Sequence, residues 1–143
     1  MKKLKLNVDE QAMAIMKRDA LEAFPNECCG FFFGHEDGER NVKLAIPAKN
    51  SRAGDQRRRF KISPLDYMWA EQYATEKGLL LLGIYHSHPL YPALPSEHDR
   101  IQAMPWFSYV IISTDGENAE TVNSFQLNEQ RIFEQEDLLY TNQ

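Results

Sequence analysis

Two histidines and an aspartate stand within fourteen residues of one another, at His86, His88 and Asp99. They lie in Tyr85-His86-Ser87-His88-Pro89 and, after a six-residue spacer, Ser96-Glu97-His98-Asp99. Neutral imidazoles and a carboxylate are the ligands of a catalytic zinc, which keeps its fourth position for water. The pattern therefore points to metal-assisted hydrolysis. Residues two apart in a strand share a face, so His86 and His88 can aim at one ion while Ser87 turns away. Pro89 cannot donate to a ladder and ends the strand. Two surface histidines at a strand end remain the bland alternative for a lone His-x-His; the added Pro, Ser and Asp at set spacing favour a metal site. Ser96-x-x-Asp99 is also a capping box, in which the Ser oxygen takes the N3 amide and the acid reaches back. Both roles can hold, because a carboxylate oriented through one oxygen can ligate through the other. His98 and His35 are not counted as ligands, and His98 is expected to point outward.

Hydrolysis also needs a proton acceptor for the attacking water. Glu27, in Pro25-Asn26-Glu27-Cys28-Cys29-Gly30, is the best candidate. A solvated residue flanking a buried strand is the alternative at such a position.

These residues must be held by elements that the sequence also suggests. Asn7 or Asp9 can cap a helix to about Ala23, with Ala12, Ile15, Met16, Ala20 and Ala23 on one face. Cys28 to Gly34 reads as a buried strand and Asn41 to Ile46 as its hairpin partner across Glu36-Asp37-Gly38-Glu39. Asn50 to Gln56 is a polar loop, and Arg57 to Ile62 is expected to be a third strand. Ser63-Pro64-Leu65-Asp66 starts a helix, Leu65, Met68, Trp69 and Tyr73 form its expected apolar face, and Gly78 ends it. Leu79 to Ser87 is the expected central strand. A short helix follows from Ser96 to about Met104, then strands at Phe107 to Ser113, Thr121 to Leu127 and Arg131 to Phe133. This order predicts an α/β domain, a single mixed β-sheet flanked by helices, spanning residues 1–143.

Composition narrows the classes. The chain has 143 residues, 43% hydrophobic and 26% charged, with a net charge of -5. That is ordinary for a globular domain and offers no basic field for nucleic acid. No apolar run approaches the ~18 residues of a membrane span. Met1 to Asn7 is charged but has no apolar segment behind it, so no signal peptide is expected and a cytoplasmic location is. Cys28 and Cys29 are adjacent, a spacing that seldom bridges, and reduced thiols fit the same compartment.

The chain resembles the JAMM metalloproteases, or JAB/MPN domain, and their small bacterial members in particular. The family pattern is an upstream Glu, then His-x-His-Pro, a spacer and Ser-x-x-Asp, and every element is present here. Pro25-x-Glu27-x-Cys29-Gly30, Arg59-Phe60-x-Ile62 and Val110-Ile111-Ile112 also look like bacterial members. The resemblance implies a JAB/MPN architecture of the cytidine-deaminase-like kind. It implies Zn²⁺ on His86, His88 and Asp99, with Glu27 as general base and then acid to the leaving amine. Ser96 would stabilise the oxyanion. The implied reaction is Glu-assisted attack of a zinc-bound water on the amide after the C-terminal Gly-Gly of a ubiquitin-like or sulfur-carrier protein. The proline-rich Leu90 to Pro95 would be a stiff lip or a plain short loop. A Gly-Gly tail could pair with a sheet edge. Arg57-Arg58-Arg59 could dock an acidic partner, although three consecutive arginines cannot share one strand face.

Three other readings compete. A non-catalytic JAB/MPN scaffold would lack the ligand set, which is complete here. A zinc deaminase needs His-x-Glu and Pro-Cys-x-x-Cys, which are absent. A cysteine enzyme would place its thiol in an environment that lowers its pKa, not in an apolar strand beside an acid.

Overall fold

The apolar run before the histidines forms β4 (Leu80–Pro89), which lies at the centre of a seven-stranded sheet. The computed structural model describes residues 4–140; residues 1–3 of the charged start lie outside the described residues. β4 pairs antiparallel with β2 (Cys29–Asp37) and parallel with β5 (Ser108–Thr114). β2 turns through Gly38 into β3 (Glu39–Ala48), where a φ of 74° suits glycine. β5, β6 (Thr121–Leu127) and β7 (Phe133–Tyr140) form an antiparallel meander.

The mixed sheet is closed. β1 (Lys5–Val8) runs parallel to both β3 and β7 and joins the two ends. This strand is not legible in the sequence: it is four residues long, begins in a charged segment and runs directly into the first helix. Closure gives every strand two neighbours and removes the free edges of the sheet.

A bulge in β4 sets which side chains face the site. Pairing passes from Phe33–Leu81 to Phe32–Gly83, leaving Leu82 as the extra residue. Leu82 and Tyr85 then pack together in one cluster, whereas Leu81 and Ile84 belong to another. Beyond the bulge, Ile84, His86 and His88 alternate with Tyr85 and Ser87.

α1 (Glu10–Ala23) is capped by Asp9, whose carboxylate accepts the Gln11 N–H at 2.8 Å. It buries Ala12, Met13, Met16 and Ala20 against Leu82, Tyr85 and Val110. α2 (Pro64–Lys77) starts at Ser63, whose hydroxyl accepts the Asp66 N–H at 3.2 Å, and ends at left-handed Gly78. Its packed face differs from expectation. Ala70 and Ala74 are buried, while Leu65, Met68 and Trp69 are exposed. Small residues let this helix lie close to the sheet, and only Tyr67 and Tyr73 reach the core as large side chains.

Two expected strands are corrected. Residues 57–62 are irregular, because Arg59 and Lys61 bond to Asn50 and Ser51 of the same loop rather than to a strand. The last strand begins at Phe133, not Arg131, since the segment before it is a turn in which Asn128 N–H bonds to the Ile132 carbonyl.

Candidate metal centre

β4 and the helix after it bring the expected residues together. His86 sits opposite Cys29 of β2, which places Glu27, two residues earlier in the chain, beside its ring. His86 Nδ1 is 3.4 Å from Glu27 Oε1. Asp99 stands at N3 of α3 (Glu97–Gln102), with Oδ2 at 3.1 Å from His88 Nε2 and Oδ1 at 3.9 Å from His86 Nε2. Glu27, His86 and His88 are buried.

The capping box is present with both halves formed. Ser96 Oγ accepts the Asp99 N–H at 3.0 Å, and Asp99 Oδ2 accepts the Ser96 N–H at 2.9 Å. The cap therefore orients the carboxylate that faces the histidines. Ser96 uses its oxygen as an acceptor, so its own proton remains available to a substrate oxygen.

His88 Nδ1 lies 2.7 Å from the Pro92 carbonyl, which can only accept. Nδ1 therefore donates there, which leaves Nε2 as the ring nitrogen that faces Asp99. His88 Nε2 and Asp99 Oδ2 are 3.1 Å apart, a spacing that a proton or a metal ion can bridge. Around His86, Nδ1 and the facing Glu27 Oε1 are buried without a hydrogen-bond partner among the described residues. Burial works against charge on His86, yet Asp99 and Glu27 outweigh it and raise its pKa. Burial likewise pushes the Asp99 carboxyl up, but the two imidazoles and the Ser96 N–H hold it well below the usual carboxylate range. The arrangement favours positive charge beside the two carboxylates, carried by the imidazoles or by a bound metal ion.

Ligand atoms of Glu27, His86 and His88 lie within 4.8 Å of one another, so these three could hold a metal ion. Asp99, close to both imidazoles, supplies a second carboxylate. Two imidazole nitrogens with a carboxylate oxygen suit zinc, and the second carboxylate then stands beside the ion.

Several supporting residues escape sequence reasoning. The Tyr91 hydroxyl donates to Glu27 Oε2 at 2.7 Å, and its ring stacks on His88 with centroids 4.0 Å apart. Phe60 stacks on His86 at 4.5 Å. Asn50 ties the loop between β3 and α2 to the site: its Nδ2 donates to the Glu27 and Arg59 carbonyls, and its Oδ1 accepts the Arg52 and Lys61 N–H groups. Position in the proline-rich lip is a signal for Tyr91, and the Arg59-Phe60-x-Ile62 pattern is one for Phe60; nothing local marks Asn50. The lip itself is pinned, because the carbonyls of Tyr91, Pro92 and Ala93 each accept a hydrogen bond from Ser113, His88 and Asn123 in turn.

Residues set aside behave differently from the centre. His35 is exposed, while His98 is half-buried rather than outward, with Nε2 lacking a partner among the described residues. Both cysteines are free and buried. Burial, reinforced by Asp19, pushes the Cys29 thiol up to about 12 and raises Cys28 well above its ordinary value. Arg57, Arg58 and Arg59 are exposed. No helix of the described residues is long and apolar enough to cross a membrane.

A closed mixed sheet with helices that carries Glu, His-x-His and Ser-x-x-Asp in one buried centre defines a JAB-type domain. The chain belongs to the prokaryotic homologs of the JAB domain, whose family pattern matches residues 9–128. It is 36% identical over 110 residues to a probable TtuB-protein conjugate cleaving protease of Thermus thermophilus, covering 77% of this chain and 68% of that one. It is 34% identical over 93 residues to a desampylase of Haloferax volcanii, covering 64% and 66%. A protein of Desulfitobacterium hafniense with a known solution structure superposes with a TM-score of 0.84 at 28% identity, covering 96% and 94%.

Proposed function

We propose that this protein, acting as a single domain, is a zinc metallopeptidase that hydrolyses the amide bond after a C-terminal Gly-Gly of a ubiquitin-like or sulfur-carrier protein. One observation carries the reading: two buried imidazoles and two carboxylates converge with their ligand atoms a few ångströms apart, and His86 Nδ1 and Glu27 Oε1 have no hydrogen-bond partner among the described residues. Similarity to proteins named for cleaving conjugates supports the substrate class.

His86, His88 and Asp99 would hold the zinc. Zinc in such a site supplies Lewis-acid polarisation and brings water near a pKa of about 7. Glu27 takes the water's proton and returns it to the leaving amine. Tyr91, by donating to Glu27 Oε2, leaves Oε1 as the oxygen free for that exchange. Ser96 donates its hydroxyl proton to the oxyanion that forms on the substrate carbonyl. The glycine carboxylate and the free amine are the products.

The closed sheet offers no strand edge to the tail, contrary to expectation, but the loop does. Arg59 and Lys61 use their main-chain groups on Asn50 and Ser51, whereas those of Phe60 and Ile62 have no partner among the described residues. An extended Gly-Gly tail can pair along that segment beside His86. The exposed Arg57 and Arg58 stand just before it and would attract an acidic carrier.

The test separates the two carboxylates. Zinc content and cleavage of a Gly-Gly-linked substrate are measured for Glu27→Gln and Asp99→Asn. Glu27→Gln should keep zinc and lose turnover; Asp99→Asn should lose both. The reverse pattern of zinc retention would exchange the two roles. Unchanged turnover in both variants would refute both roles, and a folded wild-type protein that neither binds zinc nor cleaves would be a non-catalytic JAB/MPN interaction module.

A further inference from the structure

The centre opens on one side into a cavity whose occupant the reading above does not name. Its volume is about 230 Å³, and His86 and Asp99 form part of its wall. Phe60, Ile62, Ile84, Ile111 and Phe133 supply apolar surface, with Ala103 at the side of α3. The Tyr109 hydroxyl in the same wall is already engaged, accepting the Met104 N–H at 2.7 Å. Lys61 and Gln102, both exposed, stand at the rim.

A cavity of this size is well below the ~300–1,000 Å³ of a pocket for a drug-sized ligand. It exceeds the roughly 150 Å³ of an apolar void that admits benzene. One aromatic or branched aliphatic side chain is therefore its natural occupant. Glycine has no side chain, so the acyl half of a Gly-Gly substrate leaves the cavity empty. The residue that carries the leaving amine is the other group held at the reacting centre.

We infer that this cavity binds the side chain of the residue released, and that the enzyme prefers an apolar residue joined to Gly-Gly by an ordinary α-peptide bond. This rests on the proposed peptidase reading and specifies its substrate. A lysine linked through its side chain would bring only a narrow methylene stem, and an α-linked lysine would bring its ammonium towards Lys61 at the rim. The protein is then a trimming enzyme that exposes a Gly-Gly terminus. Water's oxygen goes to the glycine carboxylate and its protons to the amine of the released residue, with no other reactant needed.

The experiment uses zinc-loaded enzyme and synthetic peptides Ala-Ala-Gly-Gly-X, with X as Phe, Leu, Ala or Lys, beside an isopeptide-linked Gly-Gly-Lys. Cleavage is followed by mass spectrometry, and affinity for the Glu27→Gln protein by fluorescence anisotropy. kcat/KM and affinity for Phe and Leu should exceed those for Ala and both Lys forms by at least ~10-fold. In Ala103→Leu, which fills the cavity, the Phe-to-Ala ratio should fall to near one. Equal kcat/KM and equal affinity across X in the wild-type protein would overturn the inference, whatever the variant does. If no peptide is cleaved, the peptidase reading fails, and the affinity series still decides whether the cavity selects an apolar side chain.

Discussion

The two faces of β4 carry buried polar groups of opposite character. On one face, Tyr85 donates to Asp19 Oδ2 at 2.7 Å, binding the strand to α1. Ser87 on that face accepts the Cys28 N–H on its hydroxyl at 2.8 Å, and its own N–H reaches the Cys28 carbonyl at 3.3 Å. Every group named there has a partner. On the other face, His86 and Glu27 keep partnerless atoms, and His88 Nε2 lies 3.1 Å from Asp99 Oδ2. An unsatisfied buried polar atom costs about 1–3 kcal/mol, so the second face is destabilising unless a ligand completes it. The satisfied face is architecture, and the unsatisfied face is where the proposed chemistry would take place. The two are joined at Cys28, since Ser87 fixes the residue next to Glu27.

The contrast breaks most sharply at Glu27. Glu27→Gln should lower kcat by about 10²–10⁴-fold, the usual range for a general acid–base. Zinc content should be unchanged and the metal-free protein should lose little stability, because the amide oxygen can still accept the Tyr91 hydroxyl. A drop in melting temperature with turnover retained would place Glu27 on the architectural side. Ser96→Ala should reduce kcat by ~10²-fold if the hydroxyl serves the oxyanion. It should also cost ~1 kcal/mol of stability as a lost cap, so melting is read beside kinetics.

Ser87→Ala should show the reverse balance. It leaves the buried Cys28 N–H without its acceptor, a loss of about 1–3 kcal/mol in stability. Its zinc stays bound, and kcat falls less than in Ser96→Ala, through a loosened Glu27. Ser87→Thr, which keeps the hydroxyl, should recover both. The smallest effect is expected at the thiols. With Cys29 at about 12, roughly one part in 10⁴ is thiolate at pH 8. Iodoacetamide at that pH should leave folded protein unmodified and fully active, whereas rapid labelling with loss of turnover would revive a cysteine mechanism.

The convergence of His86, His88 and Asp99 was legible because their spacings are those of regular structure. A strand places residues two apart on one face, which fixes His86 with His88, and N3 of a capped helix fixes Asp99. Glu27 was only half legible, since an acid at the mouth of a buried strand can equally be a solvated flank residue and its neighbour His86 is remote in sequence. Tyr91, Phe60 and Asn50 belong to loops whose course follows long-range bonds that no local pattern encodes. The helix at Ser63 was readable from its cap, but its packed face was not. Leu65, Met68 and Trp69 recur at the same spacing as a core stripe, and close packing chose Ala70 and Ala74 instead. β1 lay hidden for a related reason, as a four-residue strand whose only evidence is the two neighbours it joins.

Zinc content of dialysed protein, measured by mass spectrometry for the wild type, His88→Ala and Ser87→Ala, tests the contrast most directly. About one zinc per chain in the wild type and in Ser87→Ala, with none in His88→Ala, is the result this account predicts. Folded wild-type protein that takes up no zinc even when zinc is added, or His88→Ala protein that retains it, would contradict the account.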